Sequence, residues 1–273
     1  MRTTLSLLAL GLAMLAGATS ADAQPRPGRP LGRVIRAAAA APTVTQRALR
    51  LRPVTRRVLR AAVAVRPPAP PPSPVTTVLQ RMETTLQFTR YSMDNRIDPL
   101  MGHYEIDAPG LVTWVLRRAT PAAHRAVFAQ VRARSPTARD YHDILATAST
   151  ELVAGDAWLR LTRVSELRAG DVIAWRRPVG PHPSGGHHVC FVAAPPVRNT
   201  AGEGWLVRVT DSTSQPHDND TRGPQSQHRS GLGTGTLLIT SDATTDAPTG
   251  YGWSGSRTAA ITPASVAFGR PLR

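Results

Sequence analysis

Leu167-Arg168-Ala169-Gly170-Asp171-Val172-Ile173-Ala174-Trp175 is where the chain changes its period. Upstream, apolar residues recur at helical spacing; from here on they come in short runs rich in Val, Ile, Leu and Trp, separated by Gly, Pro, Asn and Asp. The runs are Asp171 to Trp175, His188 to Ala193, Trp205 to Thr210, and Thr236 to Thr240. On the upstream side, Val78, Leu79, Met82 and Leu86 place a helix over Val75 to Tyr91, and three more helices are expected at Pro109 to Arg118, Ala122 to Arg134 and Thr137 to Ala148. Helices first and strands second predict an α+β domain, with the N-terminal helices packed on an antiparallel sheet.

Working outward, the domain is expected to fill residues 75–273, a length of about 200 residues that can bury its own core. Before it, residues 24–74 are dominated by Ala, Arg and Pro and end in Arg66-Pro67-Pro68-Ala69-Pro70-Pro71-Pro72-Ser73-Pro74. Proline removes backbone donors and the arginines repel one another, so this stretch is expected to be a disordered linker, acting either as a spacer or as a basic tether. Residues 1–23 have the form of a signal peptide: Arg2, an apolar run from Leu5 to Ala16, and the small residues of Ala21-Asp22-Ala23. Export follows as the expectation, to the periplasm or the cell exterior, with no transmembrane anchor.

The charge is less informative than its sum suggests. The chain has 33 basic and 18 acidic residues, a formal net charge of +15, and every basic residue is arginine. Eleven of those arginines lie between Gln24 and Pro74, where no acid occurs. The excess therefore belongs mainly to the linker, and a nucleic-acid partner is not expected. The single cysteine, Cys190, excludes an intramolecular disulfide and a multi-thiolate zinc site.

Several residues bear on chemistry. Asp107 is a good N-cap for the helix that starts at Ala108-Pro109, and such a helix start is where a cysteine would be activated as a thiolate. Here that seat holds alanine. His188 on one strand and Asp211 at the end of the next form a pair in which a carboxylate orients an imidazole. Cys190, two residues beyond His188, shares its strand face and is either a relocated nucleophile or a buried core residue. Asp171 next to Gly170 reads as a turn with a side-chain-to-backbone bond. Trp175, Trp205 and Trp253 line a groove or pack in the core. His182, His187, His188, Asp211, His217, Asp218 and Asp220 are dense enough to raise a metal site, but no two of the histidines have the i, i+4 spacing of a metallohydrolase helix, and neither a metal nor another cofactor is expected. The loop from Pro216 to Asp220 is expected near the pocket mouth, and Gly231-Leu232-Gly233-Thr234-Gly235 is read as a flexible turn.

Three of these stretches together resemble the NlpC-type peptidases, secreted papain-like enzymes that cut peptide bonds in peptidoglycan stems. They are Asp107-Ala108-Pro109-Gly110-Leu111-Val112, against the family's D-C-S-G-F-V; His187-His188-Val189, against G-H-V; and Val209-Thr210-Asp211-Ser212-Thr213, the strand bearing the third polar residue. The stretch opening this section is similar to the family's L-x-P-G-D strand entry. The resemblance runs from about Tyr91 to Thr240. It implies a papain-like fold, with the nucleophile position on Ala108, the base on His188 and the orienting group on Asp211, and with Asp107, Trp175, His187 and His217 as candidate binding residues. Alanine cannot attack a carbonyl. The resemblance thus implies a non-catalytic domain that binds peptidoglycan or a cell-wall protein. Two alternatives stay open: an active wall hydrolase using Cys190 or a metal-bound water, and a structural envelope protein acting through its basic tail.

Overall fold

In the computed structural model, residues 71–131, 135–176, 186–200, 202–223 and 226–273 are described. Two units are distinguished, Met1–Ala64 and Val65–Arg273, and only the second contains described residues. The expected signal peptide, nearly all of the linker, and His182 lie outside them. Among the described residues no helix is long and apolar enough to cross a membrane.

Ser73 starts α1 (Pro74–Thr85), its hydroxyl accepting from Thr76 N at 3.2 Å, with Pro74 in the first turn where a missing N–H costs least. The helix is shorter than the expected Val75 to Tyr91. It stops at Thr85 because Leu86 turns extended and Gln87 and Phe88 both donate their N–H to Gly102 O. Phe88–Tyr91 is instead a strand, β1, which buries Thr89 between the exposed Phe88 and Arg90. With β2 (Arg96–Asp98) and β3 (His103–Ile106) it forms a small sheet in the order β1-β3-β2. Helical spacing and the alternation of a four-residue strand overlap in Leu86 to Tyr91, so periodicity alone ran them together.

The other helices follow the expected order: α2 (Ala108–Ala119), α3 (Pro121–Gln130) and α4 (Ala138–Thr147). Pro121 separates α2 from α3, since it disfavours a helical conformation at Thr120. At the start of α4, Thr137 and Asp140 form a reciprocal capping box. Leu111, Val112, Val115 and Leu116 of α2 are fully buried against the main sheet.

That sheet has nine strands. They are β4 (Trp158–Leu161), β5 (Val172–Arg176), β6 (His187–Val192), β7 (Val197–Arg198), β8 (Trp205–Thr213), β9 (Gly231–Ser241), β10 (Pro248–Gly252), β11 (Thr262–Pro263) and β12 (Ser265–Pro271). The order is β11-β10-β9-β8-β6-β5-β12-β4, with β7 on β8 and all neighbours antiparallel. The fold is therefore α+β with a few helices on a large antiparallel sheet, as expected.

Strand alternation divides the interior into two cores. Val172, Ala174, Val189 and Phe191 face the helices, whereas Ile173, Trp175, Cys190 and Val192 face the other way. On that second side Trp175 of β5 lies 4.5 Å from Tyr251 of β10, centroid to centroid, although three strands separate them along the sheet. Only a curled sheet brings them together, enclosing the second core in its concave face. Asp171 fixes the entry to β5: its carboxylate accepts from Arg168 N at 2.9 Å and receives a two-pronged contact from Arg270 of β12 at 2.8 Å on each oxygen. The expected structural turn is present, with an ion pair that its sequence neighbourhood does not reveal.

Gly231 to Gly235 is not a flexible turn but the first half of β9, paired residue by residue with Val209 to Thr213. Its glycines serve space rather than mobility. A Cβ on Gly233 would run into the Arg222 side chain, and one on Gly235 would come 2.7 Å from His217 Cβ, so both leave room for the segment 217–222 lying across the strand. Gly233→Val should destabilise the protein by about 1–3 kcal/mol through overpacking. The exposed Gly202→Ala, whose added methyl has no neighbour closer than 3.5 Å, should leave the urea-denaturation midpoint within error.

Candidate functional site

Near its C-terminal end β8 places Asp211 on the concave side of the sheet, where the residue is 0% exposed. A carboxylate in such surroundings must be paired or neutralised. Asp211 is paired three times. Its Oδ2 receives His188 Nε2 from β6 at 2.6 Å and His217 Nε2 at 2.9 Å, while Oδ1 receives the Arg222 guanidinium at 2.8 Å. Burial alone would raise its pKa; the charges of His217 and Arg222 and the hydrogen bonds from both histidines outweigh it and hold the carboxyl well below its usual range.

Proton positions follow from what each partner can do. A carboxylate only accepts, so both Nε2 atoms carry protons toward Asp211. His217 Nδ1 lies 3.1 Å from the carbonyl of Trp253, which also only accepts, so both ring nitrogens of His217 face acceptors. In His188 the bond to Asp211 leaves Nδ1, which has no hydrogen-bond partner among the described residues. Nδ1 is therefore the nitrogen available to a ligand. The His188 ring is fixed between Trp175, at 5.0 Å, and Trp253, at 5.2 Å.

Arg222 is itself held from below. It donates to both oxygens of Asp220 at 2.8 Å and to Gly231 O at 2.6 Å, and Asp220 also accepts from His217 N at 2.7 Å. Burial would lower the Arg222 pKa, but the charges of Asp211 and Asp220 raise it instead. The alternating cluster His217, Asp211, Arg222, Asp220 leaves no buried charge without an opposite.

The start of α2 reaches the same end of the sheet. Asp107 caps it, accepting from Gly110 N at 2.7 Å, and Ser212 Oγ of β8 donates to Ile106 O at 2.5 Å, two residues before Ala108. Burial raises the Asp107 pKa, and the backbone of Gly110, Asn95 and the charge of His188 oppose that rise. Ala108 itself is packed in the helix-side core. The Ser212–Ile106 bond ties the helix start to the last residues of β8, with Ala108 in the core on the helix side of the sheet and the His188–Asp211 pair on the concave side.

Of the other residues singled out above, Trp175 is buried in the concave core and contributes the ring under His188. His187 is exposed, pointing away from Asp211. Cys190 is 0% exposed, and burial followed by the charge of Asp211 pushes its thiol well above the usual range, the opposite of what a nucleophile needs. His217, expected in a loop near the pocket mouth, is fully buried in the site, while Arg222 and the Trp253 carbonyl were not legible as parts of it. The only sequence signal was an isolated arginine just after the turn-rich Pro216 to Asp220.

Donor atoms of His188, Asp211 and His217 lie within 4.8 Å of one another, a set that would suit a divalent metal. At 2.6 and 2.9 Å, however, they stand at hydrogen-bond separations, closer than the roughly 3.3 Å between ligand atoms around a tetrahedral zinc. To take an ion, the set must open and the histidines must give up their Nε2 protons.

Comparison with family models, with curated proteins and with solved structures finds no match to this chain.

Asp211→Asn leaves Arg222 and His217 buried opposite a neutral amide and should cost about 3–5 kcal/mol of stability, read by chemical denaturation at pH 7. Because the folded-state pKa of Asp211 is depressed, its contribution is present above its unfolded value of about 3.9 and is lost as pH falls through the lower folded value. The gap between wild type and variant should therefore hold at neutral pH and narrow only below about pH 4.

Proposed function

We propose that this protein is an exported, NlpC-like domain of papain-like type that has lost its nucleophile and binds peptidoglycan peptides, or a cell-wall protein that carries or recognises them, without cleaving them. The observation that carries this reading is the alanine at the first position of α2. It is capped by Asp107 and lies at the end of the sheet where an imidazole is already anchored through Nε2 and offers Nδ1. The reading takes a cysteine in that seat to have been served by the helix N-terminus and by His188, a histidine oriented by a buried carboxylate, the two features that make a thiolate. Alanine keeps the surroundings and removes the reaction. The sealed, high-pKa Cys190 supports the same reading, since it offers no substitute.

One observation favours a second reading. The meeting of His217 with His188 and Asp211 supplies the donor set that a metal-bound water would require, and that reading makes the protein an active hydrolase.

Full-length protein incubated with muropeptides should bind them, by equilibrium dialysis or calorimetry, and release no new amino groups. Binding should weaken at least tenfold in His188→Ala, whose missing imidazole removes Nδ1 from the site. Release of amino groups that disappears in His188→Ala would overturn the non-catalytic reading. Such release lost on chelation and restored by zinc would establish the metal reading in its place.

A further inference from the structure

A second constellation lies away from Asp211, where α4 packs on the junction of β5 and β12. His142 of α4 is 5% exposed, so its ring is fixed by packing. Its Nδ1 is 2.9 Å from Asp143 Oδ1 and its Nε2 is 2.9 Å from the hydroxyl oxygen of Ser265, the first residue of β12. Asp143 Oδ1 also accepts from Arg176 of β5 at 2.7 Å. Serine, histidine and carboxylate are in hydrogen-bonded sequence, each at the separation that such chemistry requires.

We propose that Ser265, His142 and Asp143 form a nucleophilic site for ester hydrolysis through an acyl-serine. Asp143 is acceptor-only, so Nδ1 carries the proton and Nε2 presents its lone pair to the Ser265 O–H, the tautomer a general base needs. Burial would raise the Asp143 pKa, but the bonds from His142 and Arg176 and the charges of both groups lower it, so the carboxylate stays ionised at neutral pH. Ser265 is exposed while its base is enclosed, which leaves the oxygen open to a substrate and the imidazole shielded from water.

The surroundings point to the substrate class. Ser265 is the direct cross-strand partner of Arg176, which places the guanidinium next to the hydroxyl. Among the described residues only one Arg176 nitrogen is engaged, by Asp143, leaving other N–H groups for a developing oxyanion. Arg139 of α4 stands 4.0 Å from the other Asp143 oxygen, and partial desolvation with the charges of Arg176 and Arg139 lowers the pKa of His187, cross-strand partner of Arg176 on β6. With two arginines and one carboxylate the site is net positive, so it suits an ester with a negatively charged group. In the reaction the Ser265 oxygen bonds to the acyl carbon and its proton passes to His142 Nε2. That proton leaves on the expelled alcohol, and a water, deprotonated by the same nitrogen, then releases the acid and restores the hydroxyl.

The helix-to-strand tether that these bonds also make is not sufficient to produce reactivity, so reactivity is the test. Full-length protein is treated with a fluorophosphonate, whose phosphorus–fluorine bond breaks as the Ser265 oxygen bonds to phosphorus and the proton leaves through His142 with fluoride. Mass spectrometry should find one adduct, on Ser265, formed by folded protein and absent after urea unfolding. Ser265→Ala should abolish it. His142→Gln should slow labelling by about 100-fold or more, the usual share of a general base. Asp143→Asn, whose side chain is 47% exposed and tolerates change, should also slow it while circular dichroism shows a native fold. No adduct on folded wild type, or an adduct formed equally fast in Asp143→Asn and a folded His142→Gln, would overturn the proposal. Neither outcome touches muropeptide binding, which is read at His188 and Ala108.

Discussion

A single negative charge, the Asp211 carboxylate, is completely removed from water, and much of the concave side of the sheet is arranged to make that tolerable. An ion of this kind costs several kcal/mol to bury even after relaxation, so it persists only where opposite charges and hydrogen bonds surround it. His217 and Arg222 supply the charges, His188 a third hydrogen bond, and Asp220 balances the arginine. The arrangement is specific because both oxygens are committed: Oδ2 to two imidazoles, Oδ1 to a guanidinium.

From that requirement several otherwise unrelated features follow. The segment 217–222 must cross β9 closely enough for Arg222 to reach down to Asp211, so β9 carries glycine where it passes beneath. His217 must be turned to point one nitrogen at Asp211, and the Trp253 carbonyl holds the other. Trp253 in turn closes over His188, which fixes the ring so that only Nδ1 remains for a ligand. The carboxylate thereby determines both the local packing and the orientation of the His188 ring.

How far this was legible in the sequence depends on the range of the interaction. The α+β order, the capped start of α2 at Asp107 and the strand bearing His188 were readable, because caps and alternation are local patterns. The pairing of His188 with Asp211 was readable as an imidazole and a carboxylate on successive strands, although 23 residues separate them. What failed was of two kinds. Leu86 to Tyr91 satisfied a helical period and a strand period at once, and the decision was made by Gly102, whose carbonyl captures two N–H groups of that segment. Gly231 to Gly235 looked like a turn because the residues that need the space, Arg222 and His217, reach it from another part of the chain. The Ser265–His142 contact spans 123 residues and joins a helix to the last strand, so no spacing rule could signal it.

The central proposal is that position 108 is an emptied nucleophile seat at the start of α2, once activated by His188, whose ring Asp211 orients. Ala108→Cys tests it directly, through the pH dependence of alkylation by iodoacetamide at the introduced thiol, with the sealed Cys190 as the internal background. An emptied seat predicts a thiolate that persists at least two pH units below the ordinary cysteine value of about 8.5, and that reverts to that value when His188 is also replaced by alanine. A thiol that titrates at its ordinary value, or one indifferent to His188, would contradict the account.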